Sequence, residues 1–245
     1  MYDELKEIIK NSDNIVFFGG AGVSTESNIP DFRSANGLNS LKEKNKPSVE
    51  KILSLSYFKK FPKAFYKFYY EHMMFNNAKP NKAHYALAKL EKMGKLKTII
   101  TQNIDGLHQD AGNSNVLELH GSNRRNRCLD CGKEYSFEEM MNKEKNLPPK
   151  CDLCGGLIKP DVILYEELLD DEVMNKSIEA IKNCDVLIIG GTSLIVFPAA
   201  GLIRYFKGSS LVLINKEKTK YDHLAELVVY ASIGEALDEA VKDLK

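Results

Sequence analysis

The chain has no excess of either charge: Lys and Arg together number 34, and so do Asp and Glu. A zero balance removes the electrostatic footprint that points to nucleic acid or to an anionic membrane. One short run, Asn123–Arg127, is locally basic, and by composition it reads as a solvated loop. Long apolar runs are also missing. The most apolar stretch, residues 186–200, is interrupted by Gly190, Gly191, Thr192, Ser193 and Pro198 and is too short to span a bilayer. The first residues are charged and helix-forming, with no apolar signal region, so a soluble cytoplasmic protein is expected. No internal repeat and no low-complexity tract occurs.

What is present is an ordinary globular composition, 43% apolar and 28% charged, spread over 245 residues. That length suits one large domain carrying a smaller insert, with a core that needs no disulfide staples. Four of the five cysteines form two pairs, Cys128-x-x-Cys131 and Cys151-x-x-Cys154, with 19 residues between them. Without a secretion signal this spacing reads as a Cys₄ zinc ribbon rather than as disulfides. Four thiolates leave zinc no open position, so the metal is expected to be structural. Cys184, between a helix and a strand, reads as a core residue.

Apolar periodicity places the elements. Leu5, Ile8 and Ile9 form one stripe of a first helix. Residues 14–18, 97–101, 116–119, 185–189 and 211–214 read as strands, the later ones buried on both faces. Between them, residues 57–75 show the helical period through Phe58, Phe61, Phe65, Phe68, Tyr69 and His72. Asn81 caps a helix carrying Ala83, Leu87, Leu90 and Met93. Helical patterning returns at Val173, Ile178 and Ile181. The last helix opens with a capping-box pattern, Ser232 to Glu235. Strands alternating with helices imply an α/β fold with a doubly wound, Rossmann-like parallel sheet, to which a small zinc-ribbon lobe and a helical insertion are added. The expected large lobe is about 1–35, 80–122 and 165–245, the helical insertion about 36–79 and the small lobe about 123–160.

After the first strand comes the turn Gly20-Ala21-Gly22, whose bare amides let a diphosphate approach. The ordinary dinucleotide fingerprint asks for a third glycine where Thr25 stands. It also asks for an acidic residue after the second strand, which instead runs into Gln102-Asn103. A standard dehydrogenase is therefore disfavoured. Asn28 and Pro30 break the helical pattern that would follow, and Asp31, Phe32 and Arg33 set an acid, a ring and a cation side by side. His120 follows an apolar strand and precedes Gly121, where a strand runs out into a crevice. His84 and His108 read as packing or surface residues.

These segments together resemble the sirtuin family. The resemblance is carried by Gly20-Ala21-Gly22 with Ser24, by Ile29 to Arg33, by Thr101 to His108, by Glu118 to Gly121, and by Gly190 to Leu194 with Pro198 and Asn215. It implies NAD-dependent deacylation, chiefly deacetylation, of protein lysines, with NAD as co-substrate and one structural zinc. In that chemistry the acyl oxygen attacks the ribose carbon bearing nicotinamide. The products are free lysine, nicotinamide and O-acyl-ADP-ribose.

The resemblance also implies residue roles. His120 would be the general base, with Asn103 and Asp105 completing the catalytic set; Asp105 would bind the nicotinamide carboxamide and Asn103 the ribose or an ordered water. The cofactor set would be Gly20, Ala21, Gly22, Thr25, Phe32, Arg33, Gln102, Asn103, Ile104, Asp105, His120, Gly191, Thr192, Ser193, Asn215 and Ile233. Phe32 would shield the ribose, Arg33 and the glycine amides would hold the diphosphate, and Ser193 and Asn215 would contact the adenosine half. The zinc ligands would be Cys128, Cys131, Cys151 and Cys154. An acylated peptide would add as a strand along Val162, Ile163 and Tyr165. No membrane or nucleic-acid partner is expected.

Glu166, where glycine is usual, departs from the family pattern and bears on peptide preference; Asn28 in place of glycine and Asn39 in place of tryptophan are milder departures, both in the cofactor loop. At the acyl pocket, members that accept acidic acyl groups carry a Tyr-x-x-Arg pair, and the matching residues here are Tyr66 and Tyr69. A mono-ADP-ribosyltransferase on the same scaffold and a non-catalytic NAD and zinc-ribbon binding module are the alternative readings.

Overall fold

The computed structural model describes residues 2–41 and 47–244. Positions 42–46 of the expected helical insertion lie outside the described residues, as do Met1 and Lys245. The elements run α1 (Tyr2–Lys10), β1 (Ile15–Gly19), α2 (Val49–Ile52), α3 (Leu55–Lys60), α4 (Pro62–His72), α5 (Lys82–Lys92), β2 (Leu96–Thr101), α6 (Leu107–Asp110), β3 (Val116–Glu118), β4 (Gly121–Cys128), β5 (Glu134–Ser136), α7 (Phe137–Met141), β6 (Ile158–Val162), α8 (Asp171–Asn183), β7 (Val186–Gly190), β8 (Ser210–Asn215), β9 (Leu227–Tyr230) and α9 (Ile233–Val241). Short 3₁₀ turns fill several connections, including both sides of the Gly20–Ser27 loop.

Six strands form one parallel sheet in the order β3-β2-β1-β7-β8-β9. This is the doubly wound order, and its switch point falls between β1 and β7. Both central strands are buried along their whole length because helices cover both faces. On one face Leu5, Ile9, Leu87, Leu90, Leu237 and Val241 close over Phe17 and Ile188. On the other, Ile181, Ala199, Ala200 and Leu202 pack on Val16, Phe18 and Ile189. Cys184 sits in that second cluster, where burial pushes its thiol up to about 12.

A second, antiparallel sheet, β5-β4-β6, carries the cysteine-rich segment. It shares a third core with α2–α4, built around Phe58, Phe65, Tyr66, Tyr69, Met140 and Ile158. Among the described residues no helix is long and apolar enough to cross a membrane.

Three expectations need correction. The 57–75 segment is two helices, not one, because Pro62 lacks an amide hydrogen and starts a new helix at its first position. Phe61 therefore sits at the break and is exposed. The Asn123–Arg127 run lies in β4 rather than in a solvated loop, and its arginines are paired: Arg124 with Asp110, Arg125 with Glu118 and Asp161, Arg127 with Glu134. Ser232 is the N-cap of α9 but makes no side-chain capping bond. Instead Glu26 reaches across from the Gly20–Ser27 loop and accepts from the Gly234 amide at 2.8 Å.

Candidate active site

At the switch point the chain leaves β1 and β7 through glycine-rich turns that touch. The amide of Gly20 donates to the Gly190 carbonyl at 3.1 Å, and that of Gly22 to the Gly191 carbonyl at 2.8 Å. A Cβ on Gly22 would lie 2.7 Å from Gly191 Cα, so only glycine permits this approach. Ala21 opens the 3₁₀ turn that follows, and Thr25 closes it with a hydroxyl bond to the Gly22 carbonyl at 3.0 Å. Thr192 links the strands on either side. Its hydroxyl accepts from Gln102 at 3.1 Å, and its amide donates to the Asn215 side chain at 3.1 Å. The Nδ2 of Asn215 is buried without a hydrogen-bond partner. Arg33 reaches Ser193 at 3.5 Å, while Phe32 packs at the edge of the aromatic core and Ile233 lies in the core beside Val23.

The segment after β2 turns back over the same crevice. Asn103 donates to the Ser24 hydroxyl at 3.0 Å, and that hydroxyl donates to Asp105 at 2.7 Å. The other Asp105 oxygen accepts from the Leu107 amide at 2.9 Å and so caps α6. Burial nevertheless raises the Asp105 carboxyl above its ordinary value, against the pull of these donors and of Arg124. Ile104 is fixed by its carbonyl, which accepts from the Asn123 amide at 2.9 Å.

His120 occupies the step between the two sheets, after β3 and immediately before β4. Its Nδ1 lies 2.9 Å from the Gln102 carbonyl. A carbonyl only accepts, so Nδ1 carries the hydrogen and Nε2 keeps its lone pair. Burial moves the imidazole below the ordinary histidine range, with the Gln102 bond opposing that shift. A neutral ring with a free Nε2 at a strand end can accept a proton. The His120 carbonyl in turn accepts from the Ile163 amide at 3.0 Å.

Val162 ends β6 opposite Gly121, and Tyr165 forms a bridge with Ser54, its amide donating to the Leu53 carbonyl at 3.0 Å. Glu166 follows in the left-handed region, at φ 77. Its carboxylate accepts from both the amide and the hydroxyl of Ser56, at 2.8 and 2.9 Å, which ties a conformation suited to glycine onto α3. The amides of Ile163, Leu164 and Tyr165 are already engaged, to His120, Glu167 and Leu53 respectively.

The four cysteines converge in the small lobe. Their Sγ atoms all lie within 4.8 Å of one another, two of the cysteines being buried and two exposed. Cys128 and Cys154 approach to 3.4 Å, Cys131 and Cys151 to 3.6 Å, and none forms a disulfide. A cluster of four thiols this tight, with nothing else in the ligand set, fits a tetrahedral structural zinc.

Several residues at the site were not among the expected ones. Ser24 stood in the glycine-turn motif, but its place between Asn103 and Asp105 is a three-dimensional fact. Asn81, expected only as a helix cap, also holds the loop by donating to the Val23 carbonyl and the Ser27 hydroxyl at 2.8 and 2.9 Å. His84 on α5 and His108 on α6 are both fully buried, ring centroids 4.7 Å apart, in keeping with packing.

Residues 20–198 match the model of the Sir2 family. The chain is 58% identical to an NAD-dependent protein deacetylase of Clostridium acetobutylicum over 98% of this chain and 97% of the relative. It is 48% identical to one of Cutibacterium acnes, over 96% and 95%. Among solved structures, one described as "Structural Basis for the Mechanism and Regulation of Sir2 Enzymes" superposes with a TM-score of 0.88 at 40% identity, covering 98% of this chain and 96% of the other. A second, "Sir2-p53 peptide-NAD+", gives 0.87 at 34% identity, covering 99% and 98%. A third holds 2'-O-acetyl-ADP-ribose with a deacetylated p53 peptide and gives 0.85 at 33% identity, over 98% of each chain.

Proposed function

The chain belongs to the Sir2 family, and from that premise we infer that it is an NAD-dependent protein-lysine deacetylase. Its substrates are acetylated lysines of proteins or peptides, and its products are free lysine, nicotinamide and O-acetyl-ADP-ribose. The co-substrate NAD supplies an electrophilic ribose carbon and a charged leaving group, and it carries the acyl group away. A mono-ADP-ribosyltransferase is not favoured, since the relatives are named deacetylases and a neighbouring structure holds the deacetylation products.

The observation that carries this reading is the bond from His120 Nδ1 to the Gln102 carbonyl, which leaves a neutral Nε2 at the end of β3. In our reading His120 takes a proton from a ribose hydroxyl as general base. Asp105, held between Ser24 and the Leu107 amide, presents its carboxyl to the nicotinamide carboxamide. Asn103 positions the ribose or a water, Gln102 and Ile104 line the same pocket, and Phe32 keeps water from the reacting face. Arg33, Thr25 and the turn Gly20-Ala21-Gly22 take the diphosphate. Gly191, Thr192, Ser193, Asn215 and Ile233 take the adenosine half, where the unpartnered Asn215 Nδ2 finds an acceptor.

The acylated peptide lies along Val162, Ile163 and Tyr165. The amides of residues 163–165 are taken, and the carbonyls of Leu164 and Tyr165 already accept from the amides of Glu167 and Leu55, so its main-chain bonds go to the Ile163 carbonyl and to the backbone of Glu166. Zinc on Cys128, Cys131, Cys151 and Cys154 holds the small lobe, about 123–160, against a helical insertion of about 36–79. The remaining segments, about 1–35, 80–122 and 165–245, form the dinucleotide-binding lobe. Thiols kept for a metal instead of disulfides fit a reducing, cytoplasmic setting.

Mass spectrometry of the products from NAD and an acetyl-lysine peptide tests the reading. Deacetylated peptide and O-acetyl-ADP-ribose in equal amounts are expected; ADP-ribose found on the peptide would overturn it.

A further inference from the structure

The basic run at 123–127 is not a nucleic-acid stripe, and the reaction as read above gives it no part. Its geometry is unusual. β4 pairs with β6 at Gly121 and Ser122 and again from Asn126 onward, so three residues, 123–125, leave the ladder. Such bulges re-aim side chains: Arg125 stays paired with Ser136 of β5, while Arg124 turns onto the large lobe. The Asn123 amide holds the Ile104 carbonyl at 2.9 Å. Arg124 Nε donates to the carbonyl of Asp105 itself at 3.1 Å, and its guanidinium pairs with Asp110 of α6. The Cζ of that guanidinium lies over the Phe137 ring of the small lobe, 5.6 Å from its centroid.

We propose that Arg124 is a positioning residue for Asp105, a strut that holds the Gln102–Asp105 segment against the small lobe. The proposal rests on the reading of Asp105 as the nicotinamide-binding residue. Asp105 is then gripped from two sides. Its carboxylate is held by Ser24 and the Leu107 amide, and its backbone is held by Arg124. Arginine suits the place because one planar fork meets a carbonyl and a carboxylate while its face rests on a ring. A lysine ammonium offers a point charge and no such fork. Small displacements of a binding group cost rate and affinity steeply, so the strut belongs to nicotinamide handling rather than to peptide binding.

Three variants, Arg124→Gln, Arg124→Lys and Asp105→Asn, are compared with wild type for the KM of NAD, the KM of an acetyl-lysine peptide, exchange of radiolabelled nicotinamide into NAD, and bound zinc. In Arg124→Gln the KM for NAD and the nicotinamide concentration giving half-maximal exchange rise by about tenfold. The peptide KM stays within about twofold and zinc stays bound. Arg124→Lys, which keeps a charge opposite Asp110, falls between. If Arg124→Gln does not fold, Arg124→Lys carries the same test, since it offers no Nε–H to the Asp105 carbonyl. Unchanged exchange and NAD affinity in a folded Arg124 variant overturn the proposal. An equal rise in the peptide KM, or loss of zinc, also overturns it by showing a merely structural role. If Asp105→Asn itself leaves exchange intact, the underlying reading fails. If Asp105→Asn impairs exchange and the Arg124 variants do not, only the strut fails.

Discussion

Gly121 presses against Asp161: a Cβ at position 121 would lie 1.9 Å from the Asp161 carbonyl oxygen. Its φ of 71 is in the left-handed region as well. The contact is a tight joint of β4 on β6 at the start of the second sheet, and His120 stands one residue away. Gly121→Ala should therefore lower the melting temperature and cut deacetylation at least about tenfold, since strain and clash both act on the histidine's own backbone. Calorimetry and a rate assay on the same preparation check this. A variant with unchanged melting and turnover would remove the joint from the account.

The resemblance to the family puts Tyr69 at the place where acceptors of acidic acyl groups carry arginine. This tyrosine is buried and stacked on Phe65 with centroids 5.4 Å apart, and its hydroxyl has no hydrogen-bond partner. A succinyl carboxylate brought there would lose its water and meet a phenol in place of a guanidinium. We expect kcat/KM for an acetyl-lysine peptide to exceed that for the succinyl peptide by at least about tenfold. Faster succinyl turnover at equal concentration would refute the assignment.

Cys151→Ser should remove one of four zinc ligands and unfold the small lobe. Structural zinc supplies on the order of 10 kcal/mol to domains of this kind. Soluble yield, zinc by elemental analysis and activity should all collapse together. A folded, zinc-free and fully active Cys151→Ser protein would show that the cluster is not structural.

The buried pair His84 and His108 makes the fold acid-sensitive. Burial lowers the two rings to about 4 and about 3, and His84 adds to the lowering of His108. Unfolded histidine titrates near ~6.5. Below that pH the unfolded chain binds protons that the folded chain refuses until about pH 3–4, so stability falls as pH drops through the window. At pH 4.5 each ring costs about 2–3 kcal/mol relative to pH 7. His108 uses neither ring nitrogen, so His108→Leu gives up no hydrogen bond and should flatten this loss. Urea midpoints of both proteins at the two pH values measure it. An identical loss in wild type and variant would contradict the assignment.

Much of the fold was legible because buried parallel strands are continuous apolar runs. The strands expected at 14–18, 97–101 and 185–189 each lie within one residue of β1, β2 and β7. The small-lobe strands were not legible. β4 reads Gly-Ser-Asn-Arg-Arg-Asn-Arg-Cys, and its register is set by pairing and by the cysteine cluster, not by hydrophobic alternation. The helical period through 57–75 hid a break at Pro62 because both helices bury aromatic residues in one core. The Ser232-to-Glu235 pattern lost its capping bond to a competitor 208 positions away, Glu26. The same holds at the crevice. Glycine turns and His120 stand out as motifs, whereas Ser24, Asn81 and Arg124 gain their meaning from partners distant in the chain.

In the proposed reaction His120 Nε2 is the proton acceptor, and His120→Asn tests this role most directly. Asparagine keeps polarity and can still donate to the Gln102 carbonyl, so the fold and NAD binding should persist. Loss of a general base should slow deacetylation by about 10²–10⁴-fold. In wild type the rate should fall on the acid side as the ring protonates, with the midpoint held below the usual histidine range by burial. The decisive measurement is single-turnover deacetylation by His120→Asn alongside NAD titration calorimetry. Unchanged NAD affinity with turnover lost is the predicted result; near-wild-type deacetylation by a folded, NAD-bound His120→Asn protein would contradict the account.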